Sequence, residues 1–229
     1  MIAAEPLSPG DAELADLVTR GAEELALALP PSEVDRLIAY VRLIGHWNAT
    51  YNLTAIRDSR DMVIQHILDC LAAAAALRRH RSGVDGERLL DVGSGAGLPG
   101  VVFAIIFPGA QITCVDSVGK KAAFITQAAG VLGLKNVKSV HARVEGIADF
   151  FDVIVSRAFA SLSQFVAATA HLLNESGVWM AMKGKPPEEE ITQLGEAFVF
   201  HVEPLRVPAL SAERCVVWIA RHSEASARS

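Results

Sequence analysis

Apolar residues along the chain change their spacing near Arg88. Between Asp11 and about His80 they recur at helical intervals, which predicts three helices with an irregular connection over residues 48–54. From Arg88 onward, short apolar runs rich in strand-forming residues alternate with helical patterns. This alternation is typical of repeated βα units, so the larger part of the chain is predicted to form a parallel sheet covered by helices.

Proline and polar residues predict where the first three helices begin and end. Pro30–Pro31 is expected to end the first helix. Ser32 with Asp35 resembles a capping box and is expected to start the second. The third helix is predicted to begin near Asp58 or Ser59, after the irregular connection.

Seven strands are predicted in the remainder of the chain. They are Arg88–Val92, Gln111–Asp116, Asn136–His141, Asp152–Ser156, Val178–Lys183, Ala197–Arg206 and Arg214–Ala220. Helices are predicted near Leu98–Phe107, Gly119–Leu132, Leu162–Leu173 and Pro187–Leu194. Because only a short loop separates the last two strands, they should pair antiparallel at one edge of the sheet. The predicted fold class is therefore α/β, with a mostly parallel seven-stranded sheet, an antiparallel edge hairpin and N-terminal helices.

The length of 229 residues, 51% of them hydrophobic, suits one large α/β core with an appendage. We expect an N-terminal helical segment over 1–82, a core over 83–221 and a disordered tail over 222–229. The longest apolar stretches are well short of the roughly 20 residues that cross a bilayer, and the chain does not start like a secretion signal. A cytoplasmic protein without a membrane span is expected.

Cysteine content and net charge narrow the possible functions further. Cys70, Cys114 and Cys215 form no CxxC pair, so neither a metal site nor a disulfide framework is predicted, and each is expected to be a small buried residue. The net charge of −5 argues against a protein that coats nucleic acid by charge alone. A cluster of basic residues on one face of the protein is still compatible with this net charge.

The segment from Asp91 to Gly100 is the strongest local signal for chemistry. A predicted strand runs into the glycine-rich turn around Gly93, Gly95 and Gly97, and a predicted helix follows. Glycines let the backbone bend sharply and approach a ligand, and the start of a helix offers unpaired N–H groups. Asp116 ends the next strand, where a carboxylate can accept hydrogen bonds from the ribose hydroxyls of an adenosine. Together these features indicate an adenosine-containing cofactor.

Two cofactors are compatible with this loop. Gly95, Gly97 and Gly100 satisfy the GxGxxG pattern of NAD-dependent oxidoreductases, which is weak on its own. In such proteins the first glycine directly follows the strand, whereas here it comes later, after Asp91 and Gly93. The pattern Asp-x-Gly-x-Gly-x-Gly is similar to the first motif of S-adenosylmethionine methyltransferases. A methyltransferase is therefore favoured, and an NAD-dependent oxidoreductase is the alternative.

The segment 155–160, at the end of the fourth strand, is where such enzymes commonly place groups that face the substrate. It lacks the Asn/Asp-Pro-Pro-Tyr/Phe pattern used for exocyclic amines, and no cysteine of the chain follows a proline as in cytosine-C5 enzymes. These absences favour a substrate atom that already carries a lone pair, such as a ring nitrogen.

Several longer motifs resemble one family, the bacterial 16S rRNA guanine-N7 methyltransferases, also called the glucose-inhibited division protein B family. They are Trp47-Asn48-x-x-Tyr51-Asn52-Leu53-Thr54, His66-Ile67-Leu68-Asp69, Leu98-Pro99-Gly100, Asp116-Ser117-x-x-Lys120-Lys121, Arg143-Val144-Glu145, Ser156-Arg157-Ala158-Phe159-Ala160 and Lys183-Gly184. The resemblance extends from about Trp47 to Ile219. Cys70 departs from the serine that the family often has, and Ala212 departs from its glycine.

This resemblance implies a Rossmann-like class I methyltransferase that binds S-adenosylmethionine. Its substrate would be N7 of a guanine, guanine 527, in the 530 loop of 16S rRNA, presented as naked RNA, as the 30S subunit or as an assembly intermediate. The protein is expected to be a monomer that needs no metal. A non-catalytic RNA-binding or division-associated protein is a further alternative, which a damaged glycine loop would favour; the loop is intact.

The resemblance also implies roles for individual residues. The residues expected to contact the cofactor are Gly93, Gly95, Gly97, Leu98, Asp116, Val144, Glu145 and Arg157. Arg157 and Lys183 are the predicted catalytic residues, and no side chain is expected to act as an obligatory general base. The residues expected to hold RNA are Asn48, Asn52, Arg57, His66 and Lys183. From the residues alone, Asn48 and Asn52 could instead close a turn, and His66 could be a packing residue.

Overall fold

The computed structural model describes residues 9–157, 159, 161–195 and 197–222. They contain one seven-stranded sheet of order β3-β2-β1-β4-β5-β7-β6. Its strands are β1 (Arg88–Val92), β2 (Gln111–Asp116), β3 (Val137–His141), β4 (Phe151–Ser156), β5 (Leu173–Lys183), β6 (Phe198–Leu205) and β7 (Arg214–Arg221). All seven predicted strands are present, with ends shifted by at most one residue except that β5 begins five residues earlier.

The strand pairings confirm the predicted mixed sheet. Strands β1 to β5 run parallel to one another, and β7 pairs antiparallel with both β5 and β6. The hairpin of β6 and β7 therefore forms one edge of the sheet, as predicted. Strand β7 runs in the direction opposite to that of β1 to β5. Its first residue therefore lies at the edge of the sheet where those parallel strands end.

Eight α-helices surround the sheet in the described residues. They are α1 (Pro9–Glu24), α2 (Pro31–Tyr51), α3 (Ser59–Met62), α4 (Asp69–His80), α5 (Gly100–Ile106), α6 (Gly119–Leu132), α7 (Leu162–Thr169) and α8 (Glu188–Thr192). Short 3₁₀ turns cover Val144–Gly146 and Ala170–Leu172. The predicted helices Leu98–Phe107, Leu162–Leu173 and Pro187–Leu194 are thus shorter than expected. Helix α7 ends at Thr169 because the 3₁₀ turn 170–172 follows it and β5 already begins at Leu173.

The predicted capping box at the start of α2 is wrong. Pro30 is the N-cap residue, and no side chain forms a capping hydrogen bond there. Pro31 occupies the first turn, where its fixed φ suits a helix and its missing N–H is not needed. The helix also continues to Tyr51, further than the irregular connection predicted from residue 48 allows. Asp58 caps the next helix, since its carboxylate accepts from the Asp61 N–H.

A π-helical segment, Val63–Leu68, joins α3 and α4 into one helical stretch. Such segments inside α-helices are rare and often occur at functional sites. Gln65 and His66 precede Asp69 by four and three residues, a spacing that places side chains on one side of a helix. The sequence pattern predicted a helix here but not its π geometry.

Buried residues lie on both faces of the sheet, as a mostly parallel sheet requires. Helices α1, α2, α4, α5 and α6 pack with one face in a single large core, to which Leu37, Leu71 and Val153 contribute. Helix α7 packs on the other face, together with Trp179 and Ile154. The N-terminal helices thus share a core with the sheet, while the division of the chain at residue 82 stays a prediction.

Three smaller expectations concern cysteines, membranes and the chain ends. All three cysteines are buried and unbonded to one another, as predicted. No helix within the described ranges is long and apolar enough to cross a membrane. A loose start was predicted over the first ten residues; residues 1–8 lie outside the described ones, but Pro9 and Gly10 begin α1, so the prediction is wrong there. Nearly all of the predicted tail, 223–229, also lies outside the described residues.

Candidate active site

The glycine loop after β1 has the backbone conformation that its sequence suggested. Gly93, Gly95 and Gly97 have φ values of 69°, 57° and 82°, which glycine adopts readily and other residues rarely do. A Cβ added at Gly93 would meet nothing within 4 Å, whereas one at Gly97 would lie 2.6 Å from Cγ2 of Val101. Gly93 therefore faces open space, while Gly97 allows the loop to pack against α5.

Asp91 lies buried beneath this loop and ties it to α5. Its Oδ2 accepts a hydrogen bond of 2.9 Å from the Gly100 N–H at the start of the helix. Its Oδ1 has no hydrogen-bond partner among the described residues. Burial raises the pKa of Asp91 to about 7, and the Gly100 N–H partly offsets this shift. The carboxyl group supports the loop and keeps an unused acceptor atom beside it.

Asp116 connects the end of β2 to the glycine loop. Its Oδ2 accepts from the Gly95 N–H at 2.9 Å, and its Oδ1 accepts from the Val118 N–H at 2.8 Å. These two bonds fix the plane of the carboxylate. A carboxylate has about four lone-pair sites, so two hydroxyl donors can still be accepted. The arrangement fits the ribose of an adenosine.

A cleft of about 430 Å³ opens above Gly93 and Asp116, and we call it the first cleft. It is lined by Val92, Gly93, Val115, Asp116, Ser117, Val118, Lys121, Ala142, Arg143, Val144, Glu145 and Phe159. These residues follow the carboxyl ends of β1 to β4, where ligands bind in open α/β sheets. The volume lies within the range of about 300–1,000 Å³ typical of ligand pockets. The first cleft therefore fits an adenosine-containing cofactor.

The predicted cofactor residues divide between this cleft and its support. Gly93, Asp116, Val144 and Glu145 line the first cleft. The lining does not include Gly95, Gly97, Leu98 or Arg157; Gly95 holds Asp116, whereas Gly97 and Leu98 are buried. Phe159, Arg143 and Lys121 line the cleft although they were not singled out. Only their places within the family motifs could have suggested them.

A second cleft, of about 340 Å³, lies further along the same edge of the sheet. Its lining residues are Ile56, Gln65, His66, Asp69, Arg157, Met182, Lys183, Gly184, Leu205, Arg214 and Cys215. They come from the connection between α2 and α3, from the helical segment 59–80, from the ends of β4 and β5, and from the β6–β7 hairpin. Three predicted residues, Arg157, His66 and Lys183, thus come together here.

The π segment holds the guanidinium group of Arg157. Its Nη1 lies 3.2 Å from Nδ1 of His66, 3.5 Å from the Gln65 carbonyl oxygen and 3.7 Å from Oδ2 of Asp69. His66 Nδ1 also lies 3.0 Å from the Gln65 carbonyl oxygen, and Nε2 lies 2.7 Å from Thr54 Oγ1, so both ring nitrogens have polar partners. Burial, together with the positive charge of Arg157, lowers the pKa of His66 to about 4. The imidazole is therefore neutral at neutral pH.

Asp69 is the buried centre of the second cleft. Its side chain is 5% exposed and lies between two arginines, with Oδ1 3.1 Å from Nε of Arg214. Burial raises the pKa of Asp69, and the charges of Arg157 and Arg214 counteract that rise. Sequence reasoning had placed neither Asp69 nor Arg214 in the site. Asp69 stood in a family motif, but no local signal connected it with a residue 145 positions later.

Lys183 forms an ion pair with Glu190. The Nζ atom lies 2.9 Å from Oε2 of Glu190, and the same oxygen accepts from the Leu162 N–H at 2.8 Å. The positive charge that Lys183 brings to the second cleft is therefore already balanced by a neighbouring carboxylate.

The three remaining predicted RNA contacts have different environments. Asn48 is buried; it donates to the Ile56 carbonyl oxygen and accepts from the Thr54 N–H, so its amide closes the loop after α2. Asn52 ends α2 in the left-handed conformation, and Arg57 Nη2 lies 3.4 Å from its Oδ1. Asn52 and Arg57 are exposed, whereas Asn48 has no exposed surface to offer RNA.

Comparison with solved structures shows that S-adenosylmethionine-dependent methyltransferases share this fold. A SAM-dependent methyltransferase from Aquifex aeolicus superposes with a TM-score of 0.53 at 17% identity and covers 69% of this chain and 92% of that one. A 16S rRNA methyltransferase from T. thermophilus, solved with AdoMet and guanosine, gives a TM-score of 0.52 at 20% identity over 67% of this chain and 43% of that one. The predicted fold class is confirmed.

Sequence comparison identifies the family. The model of the family described as rRNA small subunit methyltransferase G matches residues 33–217. A protein of that name from Polaromonas naphthalenivorans is 55% identical over 203 residues, which span 87% of this chain and 92% of the relative. The chain belongs to the rRNA small subunit methyltransferase G family, and the predicted family is confirmed.

Proposed function

We propose that this protein transfers a methyl group from S-adenosylmethionine to N7 of a guanine in 16S rRNA. The observation that carries the proposal is the pair of clefts at one edge of the sheet. The first cleft combines the exposed backbone of Gly93 with the Asp116 carboxylate, and the second cleft holds the guanidinium group of Arg157. Family membership identifies the reaction, whereas an NAD-dependent oxidoreductase is disfavoured because the family carries out methyl transfer.

The residues of the first cleft suit the binding of the cofactor. Asp116 would accept hydrogen bonds from both ribose hydroxyls, and the open backbone at Gly93 would allow close approach. Val144 and Phe159 supply apolar surface for the adenine, and Glu145 lies beside them. When bound, S-adenosylmethionine supplies an electrophilic methyl group on a sulfonium.

The second cleft suits a reaction that needs positioning rather than proton removal. Guanine N7 is an acceptor with a free lone pair, so methylation there requires no general base. Both ring nitrogens of the candidate base in the cleft, His66, have polar partners: the Gln65 carbonyl oxygen and Arg157 at Nδ1, and Thr54 at Nε2. Arg157 would orient the base or its phosphate, and accurate alignment can supply up to roughly 7–11 kcal/mol of a barrier. Lys183 would offset phosphate charge to a smaller extent, since Glu190 already balances it.

The test of the proposed function is a methyl-transfer assay with nucleoside analysis by mass spectrometry. The purified protein would be incubated with S-adenosylmethionine and either 30S subunits or protein-free 16S rRNA from cells that lack this gene. We expect 7-methylguanosine at one position, and its absence with both substrates would contradict the proposal. The two arms of the assay also show whether the 30S particle or the naked RNA is the substrate. We further expect the protein to act as a monomer in the cytoplasm.

Asp116→Ala tests the assignment of the first cleft. The change removes a charge-assisted acceptor for two hydroxyls, and each such bond contributes roughly 1.5–3 kcal/mol. We expect at least tenfold weaker S-adenosylmethionine binding in calorimetric titration, with the folded state retained in circular dichroism. Asp16→Ala, which removes an exposed carboxylate on α1, is the matched control. Equal affinities of the two variants would refute the ribose assignment.

A further inference from the structure

Arg214 lies on the substrate side of the sheet although it comes from the last strand. It is the first residue of β7, which runs antiparallel to β5, and its neighbour Cys215 pairs with Lys183 at the end of β5. Arg214 therefore reaches the same edge as the carboxyl ends of the parallel strands. Its side chain is 25% exposed and lines the second cleft.

The charges of the second cleft do not balance. Asp69 is the one carboxylate among the described lining residues, and two guanidinium groups, those of Arg157 and Arg214, lie against it. Glu190 balances Lys183, and His66 is neutral. One positive charge thus remains in excess within a partly buried pocket. Such a pocket favours an anion, because its low dielectric strengthens the attraction.

The Arg214 guanidinium is held in place before any ligand binds. Its Nε contacts Asp69 at 3.1 Å, and its Nη1 donates to the Glu213 carbonyl oxygen at 2.8 Å. These contacts engage two of the five N–H donors of the group. A planar guanidinium fixed in this way matches the geometry of a phosphate and loses little freedom on binding it.

The order of the strands places Arg157 and Arg214 at different positions along the edge of the sheet. The first cleft lies at the ends of β1 to β4, Arg157 directly follows β4, and Arg214 begins β7, two strands beyond β4. Neighbouring strands lie about 4.8 Å apart, so the backbones of the two arginines lie roughly 10 Å apart along the edge, while both guanidinium groups reach the Asp69 carboxylate. A base whose N7 must approach the first cleft would be contacted by Arg157. Arg214 would then meet the RNA backbone further out.

We propose that Arg214, held by the buried carboxylate of Asp69, binds a backbone phosphate next to the target guanine. The inference rests on the proposed function, because it requires an RNA substrate in the second cleft. In this role Arg214 is an RNA-binding residue, and Asp69 is a positioning residue that acts through both arginines.

The salt dependence of RNA affinity tests the phosphate contact. Each phosphate contact contributes about 0.7 for single strands, or about 0.9 for duplexes, to the slope of log affinity against log salt. We expect Arg214→Gln to lower the slope by that amount in fluorescence anisotropy with end-labelled 16S rRNA. Between 50 and 200 mM KCl, the wild type should lose about threefold more affinity than the variant. Arg88→Gln carries the same charge change. Arg88 begins β1, at the end of the sheet opposite to the two clefts, so this variant should leave the slope unchanged.

A second pair of variants covers the case in which Arg214→Gln destabilises the protein by leaving Asp69 short of a partner. Asp69→Asn with Arg214→Gln replaces the ion pair by two neutral amides, so the net charge equals that of the wild type. Compared with Asp69→Asn alone, the double variant should show the same decrease in slope. An unchanged slope in either comparison would overturn the proposal, even if affinity fell.

The outcomes for Arg214 and for the proposed function are separable. If the wild type methylates 16S rRNA in neither form, the proposed function is wrong, and the phosphate contact, which requires this RNA substrate, is overturned with it. If the wild type methylates it and the slope is insensitive to Arg214, only the phosphate contact is wrong. S-adenosylmethionine affinity should be equal in the wild type and in Arg214→Gln, since Arg214 lies outside the first cleft.

Discussion

Replacement of Gly100 by alanine probes the packing beneath the glycine loop. Gly100 is buried at the start of α5, where an added Cβ would lie 2.4 Å from Sγ of Cys114 and 2.9 Å from Oδ2 of Asp91. Both neighbours are fully buried, so neither can swing into solvent. Inserting a methyl group into a well-packed core costs about 1–3 kcal/mol. We expect that loss in the free energy of unfolding.

Urea denaturation, followed by circular dichroism, measures this effect. In thermal unfolding, about 1–3 kcal/mol corresponds to a decrease in Tm of roughly 2–12 °C for a chain of this size. Gly130→Ala is the matched control, because an added Cβ within helix α6 would meet nothing within 4 Å. That variant should gain up to about 1 kcal/mol, since alanine has the higher helix propensity.

The double variant Gly100→Ala with Cys114→Ala identifies the cause of the destabilisation. Removal of Sγ makes room for the new methyl group, so the double variant should be more stable than the sum of the two single effects predicts. A Gly100→Ala protein as stable as the wild type would refute the packing argument. Additive single effects would show that the clash with Cys114 is not the cause.

Two further predictions concern a buried hydrogen bond and a buried imidazole. Thr169→Val removes the hydroxyl that accepts from Trp179 Nε1 at 2.8 Å, so it should cost about 1–3 kcal/mol in urea denaturation, whereas Thr169→Ser should stay near the wild type. Burial, with the charge of Arg157, lowers the pKa of His66 from 6.5 to about 4, so the unfolded chain binds more protons between these values. The stability that His66 contributes is complete above about pH 6.5 and lost as the pH falls to 4, and the difference from His66→Gln should shrink over that range. A constant difference would contradict the neutral imidazole.

Local sequence patterns were sufficient for the strands and for the glycine loop and Asp116 of the first cleft, whereas Val144 and Glu145 came from the family motifs. The glycine loop and Asp116 were predictable because each depends on neighbours close in sequence: a strand, a turn that needs positive φ, and a carboxylate at the end of the next strand. The same reasoning predicted the edge hairpin, since a short loop leaves few ways to connect β6 and β7. These features follow from periodicity and turn chemistry alone.

The second cleft depends on contacts between distant parts of the chain. Asp69 and Arg214 are 145 residues apart and meet only because β7 lies beside β5. The π geometry of 63–68 also has no signature in the spacing of apolar residues. For Asn48 the motif predicted RNA contact and the residue type also allowed a turn-closing role; tertiary packing uses its amide to close a loop, and the RNA contact stays a prediction. Side-chain partners of this kind become predictable only after the strand order is known.

The placement of β7 has a consequence for synthesis on the ribosome. Strand β6 pairs only with β7 among the described strands, and β7 is made after every other strand in the sheet. During translation, β6 therefore emerges without a partner, and the edge of β5 stays open until β7 inserts between them. Exposed strand edges favour misassembly and aggregation. Premature termination between residues 206 and 213 would therefore remove the partner of two strands and release a chain in which the edges of β5 and β6 both stay open.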